Sequence, residues 1–249
     1  MPVFKTAAIA LGRTDYSDSS QIITFYTRDY GKVRVLAKGF KRSSGRHSSK
    51  AIDFLSHYQI FFIKKEHTSL HTLTEAVLQN HYPPIRNDLD KYYRASCVAE
   101  LINEFTMEND PSEELFDITT ETLFGISMDQ DPTVRSLVFE IKLLKILGYL
   151  PEWKCCVQCK NRIRQTTMVR FSVKEGGALC KECQMKFPHG MLVTPGAVLI
   201  AGKLAENNFQ RLDRIRLHLS IYVEIEKMLR YYIASLLNKE LNSWKYIKV

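Results

Sequence analysis

Cys156, Cys159, Cys180 and Cys183 form two C-x2-C pairs separated by residues 160–179. Two such knuckles can bring four thiolates onto one tetrahedral zinc ion. Four protein sulfurs fill the coordination shell and leave no position for a water molecule. A metal held this way stabilises local structure and does not activate a nucleophile. Gly176-Gly177 precedes the second knuckle, where the chain must turn back to the metal. Lys154, Lys160 and Lys181 flank the sulfurs and would offset their charge. The pattern therefore predicts one structural Zn2+ per chain. A disulfide pair or unrelated free thiols are the competing readings. Cys155 is a surplus thiol that could replace Cys156, although the x2 spacing favours Cys156. Cys97 falls on the apolar stripe of a helix and reads as a small buried hydrophobe.

A second chemical signal is cationic. From Arg28 to Lys50 the chain reads RDYGKVRVLAKGFKRSSGRHSSK. Arg28, Lys32, Arg34, Lys38, Lys41, Arg42, Arg46 and Lys50 face a single acid, Asp29. If residues 32–38 are a strand, Val33, Val35 and Ala37 share one face, and Lys32, Arg34 and Lys38 share the other with Leu36. The strand feeds a stretch of Ser and Gly that carries the remaining cations. Such a surface can follow a phosphate backbone without reading sequence, and its affinity should fall steeply with salt. Tyr26, Tyr30 and Phe40 interleave with the charges. They could be stacking platforms for bases or packing groups of the barrel. Lysines on a strand can also serve to block edge pairing.

These residues must be positioned by a scaffold, and the 249-residue chain is long enough for one large domain or two ordinary ones. Residues 1–82 read as β. Candidate strands are Val3 to Gly12, Gln21 to Arg28, Lys32 to Lys38, His57 to Lys64 and Ser69 to Val77. Five short strands in this length suit a small closed barrel of the OB type. Pro83-Pro84 ends the alternation, and the apolar period becomes helical. Leu89, Tyr92, Tyr93, Cys97, Leu101 and Phe105 would form one helical face. Asp110-Pro111-Ser112-Glu113 predicts a helix start with Asp110 as the cap, and Asp131-Pro132 predicts another. Gly148 should end that helix, Thr194-Pro195 should begin a further one, and a last long helix is expected near Ser220 to Leu241. The fold class is therefore α+β: an N-terminal five-stranded OB-fold barrel (1–82), then a helical domain (83–249) bearing a zinc-ribbon-like insert (153–190).

Charge is unevenly spread. Residues 1–82 carry a net +6, residues 83–152 carry −8 and residues 153–249 carry +10. Two basic blocks around an acidic one suggest a polyanionic partner. The acids between Asp88 and Glu121 read as solvated helix surface and caps. No G-x-x-x-x-G-K-[ST] and no H-E-x-x-H occurs, so neither of those phosphate-binding and metalloprotease motifs is present. No run of about 18 apolar residues is found, and the N-terminus shows no export signal, so no membrane span and a cytoplasmic protein are expected. The residues alone leave open an RNA-binding barrel, a protein-binding adaptor built on the zinc ribbon, and a metal-dependent nuclease.

Several segments, taken together, resemble the RecO family of recombination mediators. They are Arg13 with Tyr16-Ser17-Asp18-Ser19 and Ile22-Ile23-Thr24, then Thr27-Arg28-Asp29-Tyr30-Gly31-Lys32 and Ala37-Lys38-Gly39-Phe40-Lys41. Leu147-Gly148-Tyr149-Leu150-Pro151, Phe171-Ser172, Gly176-Gly177 and the closing Leu241-Asn242-Ser243-Trp244-Lys245 continue the likeness. Asp18 stands where the family pattern leads us to expect glutamate. The resemblance implies binding of single- and double-stranded DNA, annealing of complementary strands, and a nucleoid-associated, non-enzymatic role. It also implies help in loading a RecA-type recombinase onto DNA coated by single-strand-binding protein. Its implied partners are RecR and the acidic C-terminal tail of the coating protein. Arg13 joins the eight cations above as a candidate DNA contact.

Overall fold

The computed structural model describes residues 2–18, 20–38, 52–65, 68–129, 131–164, 168–206 and 217–247. Two compact units divide between Met128 and Asp129.

In the first unit, strands β1 (Val3–Asp15), β2 (Ser20–Thr27), β3 (Gly31–Lys38), β4 (His57–Ile63) and β5 (Leu70–Asn80) close into a barrel. The order is β1-β2-β3-β5-β4, with β4 returning to β1. Every pairing is antiparallel except β3 with β5. The long β1 serves two neighbours. Its first half pairs with β4 and its second half with β2, and the register slips between Ala10 and Gly12. A bulge of this kind bends a strand enough to close a small barrel. The expected five strands are all present, with ends displaced by up to three residues.

Alternation fills the interior. Ala8, Ala10, Ile23, Phe25, Val33, Val35, Ala37, Ile60 and Phe62 pack there, with Tyr58 and Leu73. Tyr26 is fully buried against Phe116, and Tyr30 meets Phe4 and Phe62 edge-on. Both tyrosines are therefore packing groups and not stacking platforms; Phe40 lies outside the described residues.

Helices α1 (Pro83–Arg86), α2 (Leu89–Phe105) and α3 (Glu113–Met128) complete this unit. The expected boundary after residue 82 thus falls inside a compact unit. The reason is physical: the α2–α3 connection lies against β3. The backbones of Lys32 and Glu108 form an isolated parallel β-bridge, and the Asn109 amide donates to the Lys32 carbonyl at 3.0 Å. Gly31, at φ 64°, lets Asp110 approach so closely that a Cβ would come within 2.3 Å of its carbonyl oxygen. Two details of the helices differ from expectation. Ser112, not Asp110, caps α3, accepting from the Leu115 amide at 3.2 Å. In α2 the deepest face is Ala95, Val98 and Ile102 with Cys97 and Leu101, while Leu89 is exposed.

The second unit contains α4 (Thr133–Ile146), a three-stranded sheet, α5 (Pro195–Glu206) and α6 (Leu219–Leu237). Gly148, at φ 78°, ends α4 as expected. Its amide donates to the Lys145 carbonyl and that of Tyr149 to Leu144, which is a Schellman cap. The sheet has the order β7-β6-β8, formed by Gly177–Leu179, Val169–Ser172 and Met191–Val193. It therefore runs a little past the expected limit of the insert. Thr194 caps α5 through its hydroxyl, which accepts from the Ala197 amide. α6 stops at Asn238, in the left-handed conformation (φ 55°), earlier than the apolar pattern suggested. Among the described residues no helix is long and apolar enough to cross a membrane.

Candidate metal centre and cationic barrel face

Three local devices build the cysteine cluster. Chain 152–157 joins the β6–β7 hairpin: the Glu152 amide donates to the Gly176 carbonyl, and the amides of Ala178 and Val157 close the ladder. Gly177 is required here, because a Cβ would lie 2.5 Å from the Glu152 carbonyl oxygen. Each knuckle is then a tight turn. The Lys160 amide donates to the Cys156 carbonyl and the Gln184 amide to that of Cys180, both at 2.9 Å. Lys160 takes a left-handed conformation (φ 60°) to finish the first turn.

The result is one cluster. The four Sγ atoms of Cys156, Cys159, Cys180 and Cys183 all lie within 4.8 Å of one another. Cys159 and Cys180 are separated by 3.7 Å. A tetrahedron with metal–sulfur bonds of about 2.3 Å has edges of about 3.8 Å, so the cluster can hold one metal ion. All six cysteines are free, and Cys155 stands outside the quartet.

The electrostatics suit a cation. Burial raises the Cys156 thiol, but the backbone N–H groups of Cys159, Cys180 and Gln158 outweigh it and bring the value to about 7. Burial pushes Cys180 up, assisted by Glu182 and by its sulfur neighbours, and burial likewise raises Cys183. Closely packed thiolates resist joint ionisation, and a bound cation removes that resistance. Lys154, expected to offset the thiolates, is paired instead with Glu206.

Aromatic packing carries this module on the helices. Trp153 stacks on Phe171 with centroids 5.4 Å apart, and Phe171 meets Tyr232 of α6 at 5.7 Å. Gly202 of α5 gives Trp153 room, since a Cβ there would come within 2.9 Å of it.

The nine candidate DNA contacts separate into groups. Lys41, Arg42, Arg46 and Lys50 lie outside the described residues. Arg34 and Lys38 are exposed on the outer face of β3, opposite Val33, Val35 and Ala37, and meet no hydrogen-bond or ion-pair partner among the described residues. Arg13 is exposed and donates to the Ile52 carbonyl at 3.1 Å. Arg28 is half-buried and bridges Glu113 and Asp117 at 3.0 and 3.2 Å. Lys32 donates to the Asn103 and Thr106 carbonyls at 2.6 and 2.7 Å, at the C-terminal end of α2. Burial lowers its ammonium from the ordinary value, against the pull of Glu104 and Glu108. Lys32 therefore shares the outward side of β3 with Arg34, Leu36 and Lys38, as alternation predicts, but its ammonium serves as a helix C-cap and is not free to solvent. A helix end with unsatisfied carbonyls attracts a cation that the strand pattern alone assigns to solvent.

Sequence reasoning passed over Lys64 and Lys65. Both are exposed where β4 turns into β5, and the Lys65 amide donates to the Nδ1 of His71. His71 pairs in register with Val35, next to Arg34. The adjacent lysines of a hairpin turn were the available signal.

Comparison with known proteins covers nearly the whole chain. The family model "Recombination protein O N terminal" matches residues 1–82, and "Recombination protein O C terminal" matches residues 86–245. The DNA repair protein RecO of Syntrophus aciditrophicus is 31% identical over 248 residues, 98% of this chain and 94% of that protein. The DNA repair proteins RecO of Halalkalibacterium halodurans and Bacillus subtilis are each 29% identical over 243 residues, 98% of this chain and 93% of theirs.

Proposed function

Since the chain belongs to the RecO family of DNA repair and recombination proteins, we propose that it binds DNA through the outer face of β3 and works as a non-catalytic recombination mediator. The observation that carries this reading is the sorting of β3: apolar side chains fill the barrel while Arg34 and Lys38 stand exposed. Lys64 and Lys65 add exposed positive charge to the same unit, and so does Arg13, which the register places on the Val35 side of the sheet rather than beside Arg34. Such a face neutralises phosphates without touching base edges, so it accepts single and double strands alike.

Two complementary strands repel each other, and bringing them together requires cations on both. The basic barrel and the net +10 of residues 153–249 would supply these. Annealing then gains from local concentration as well as from neutralised charge. Family resemblance adds the cellular setting: loading of a RecA-type recombinase onto coated DNA, with RecR and the acidic tail of single-strand-binding protein as partners, in the cytoplasm at the nucleoid. The metal is Zn2+ in this reading, chosen by an all-sulfur tetrahedral donor set, and its role is structural.

The test is fluorescence anisotropy with labelled single and double strands across a salt series. Arg34→Glu with Lys38→Glu should cut affinity at low salt, and neutral substitutions should reduce the salt slope by roughly 0.7–0.9 per lost phosphate contact. Unchanged affinity in the reversed-charge protein would remove the barrel face as the site. Elemental analysis should find zinc at one ion per chain.

A further inference from the structure

Beyond Asn238 the chain turns back on α6 and ends in a 3₁₀ turn at Ser243–Tyr246. Arg230 fixes this return. Its guanidinium lies over the Trp244 ring at 5.5 Å, pairs with Glu226, and donates to the carbonyls of Trp244 and Ile247 at 3.4 and 3.3 Å. Between the last turns of the helix and the returning segment a cavity of about 640 Å³ remains. That size is in the range of sites for small organic ligands.

The lining states what chemistry it would hold. Lys239 and Lys245 stand at the rim against one acid, Glu240, and all three are exposed. Arg230 adds positive charge, its terminal N–H groups being committed to Glu226, Trp244 and Ile247. Tyr231 presents an exposed ring at the wall, and Lys227 lies one helical turn before it, also exposed. The Asn238 side-chain amide, which can both donate and accept, completes the surface. The indole Nε1 of Trp244, 7% exposed, has no partner in this wall. Cations beside an open aromatic ring are the combination that grips single-stranded nucleic acid, phosphate on the one and base on the other. An amide within the same cavity suits the mixed donors and acceptors of a base edge better than it suits the apolar anchor of an acidic peptide.

We propose that this cavity takes one nucleotide of a single strand, with the base against Tyr231 and the phosphate on Lys245 and Lys239. It is then a nucleic-acid contact of the second unit, separate from β3. This rests on the reading above and deepens it, because it gives the second strand of an annealing pair its own seat.

The test compares full-length variants. Tyr231→Ala and Lys245→Glu change exposed side chains and leave the Arg230–Trp244 clasp intact, which an unchanged melting temperature verifies. A short oligothymidine carrying 5-iodouracil should cross-link to Tyr231 on irradiation. Annealing of complementary strands should slow roughly tenfold in either variant, while affinity for one strand, set by Arg34 and Lys38, changes little. Unchanged annealing together with no cross-link at Tyr231 would overturn the cavity proposal and leave the barrel reading standing. Weakened strand binding in Arg34→Glu/Lys38→Glu, with the cross-link at Tyr231 retained at an oligonucleotide concentration high enough to offset that weakening, would support both. A wild-type protein that neither binds nor anneals strands would overturn both. If the two variants instead lose binding of an acidic peptide and anneal normally, the cavity belongs to a protein partner and the nucleotide assignment falls.

Discussion

The barrel and the cysteine module are both small β structures, yet different forces hold them. The barrel closes on itself, so no strand edge is left over, and its interior is continuous: Phe25, Val35, Ile60 and Phe62 are all fully or almost fully buried. The three-stranded sheet of the module has strands of only three or four residues and an open order, β7-β6-β8. One of its faces leans on Trp153 and Tyr232; the two knuckles depend on sulfur. Where apolar area suffices, the sequence spends alternation on it. Where it does not, four cysteines are gathered in an arrangement that could hold a metal ion. The difference also separates roles: the barrel can present charge on its outside because its inside is self-sufficient.

The largest effect should come from breaking the sulfur cluster. If the cluster holds a metal as proposed, Cys180→Ser with Cys183→Ser, or chelation, would remove an interaction that in a four-thiolate site is worth on the order of 10 kcal/mol, part of it masked by the Trp153–Phe171 packing. Hydrogen exchange should rise through residues 153–193 and leave β1–β5 protected. Equal loosening of the barrel would erase the contrast. Next in size is the barrel core. Phe62→Ala should cost about 3–5 kcal/mol in denaturant unfolding without changing metal content. Lys32→Met should follow, at about 1 kcal/mol for the lost carbonyl contacts. Its DNA affinity should match that of the parent, which anisotropy beside Arg34→Glu would check.

The smallest effect is a pH dependence confined to the barrel. Burial pushes His57 below the ordinary imidazole value of 6.5, and burial followed by Lys64 does the same for His71. Below 6.5 the unfolded chain binds protons that the folded barrel refuses. Stability from these two residues is therefore complete above 6.5 and declines as pH falls toward their depressed values. The melting temperature should drop through that window, and His57→Gln should flatten the slope. A slope of opposite sign would contradict the burial of both rings.

Much of this molecule was readable from local pattern. Runs rich in Val, Ile, Thr, Phe and Tyr between turn residues locate all five barrel strands, C-x2-C spacing selects Cys156 over Cys155, and Gly148 marks the end of α4. The errors share a cause. The ion pairs of Arg28 and the capping role of Lys32 are not legible locally, because their partners, at Glu113, Asp117, Asn103 and Thr106, lie more than seventy residues away. No strand periodicity contains that information. Asp110 lost the α3 cap to Ser112 because its backbone is drawn against Gly31. In α2 the face was placed by its large aromatics, whereas Ala95, Val98 and Ala99 permit the closest approach and are the more buried.

The clasp of Lys32 on the end of α2, with Gly31 beneath Asp110, also decides how this protein can be dissected. An excised polypeptide stopping at Tyr82 would strip Tyr26 of its cover, leave a half-sheltered ammonium without its carbonyls, and invite aggregation along β3. Whoever wants the barrel unit alone should end the fragment at Met128.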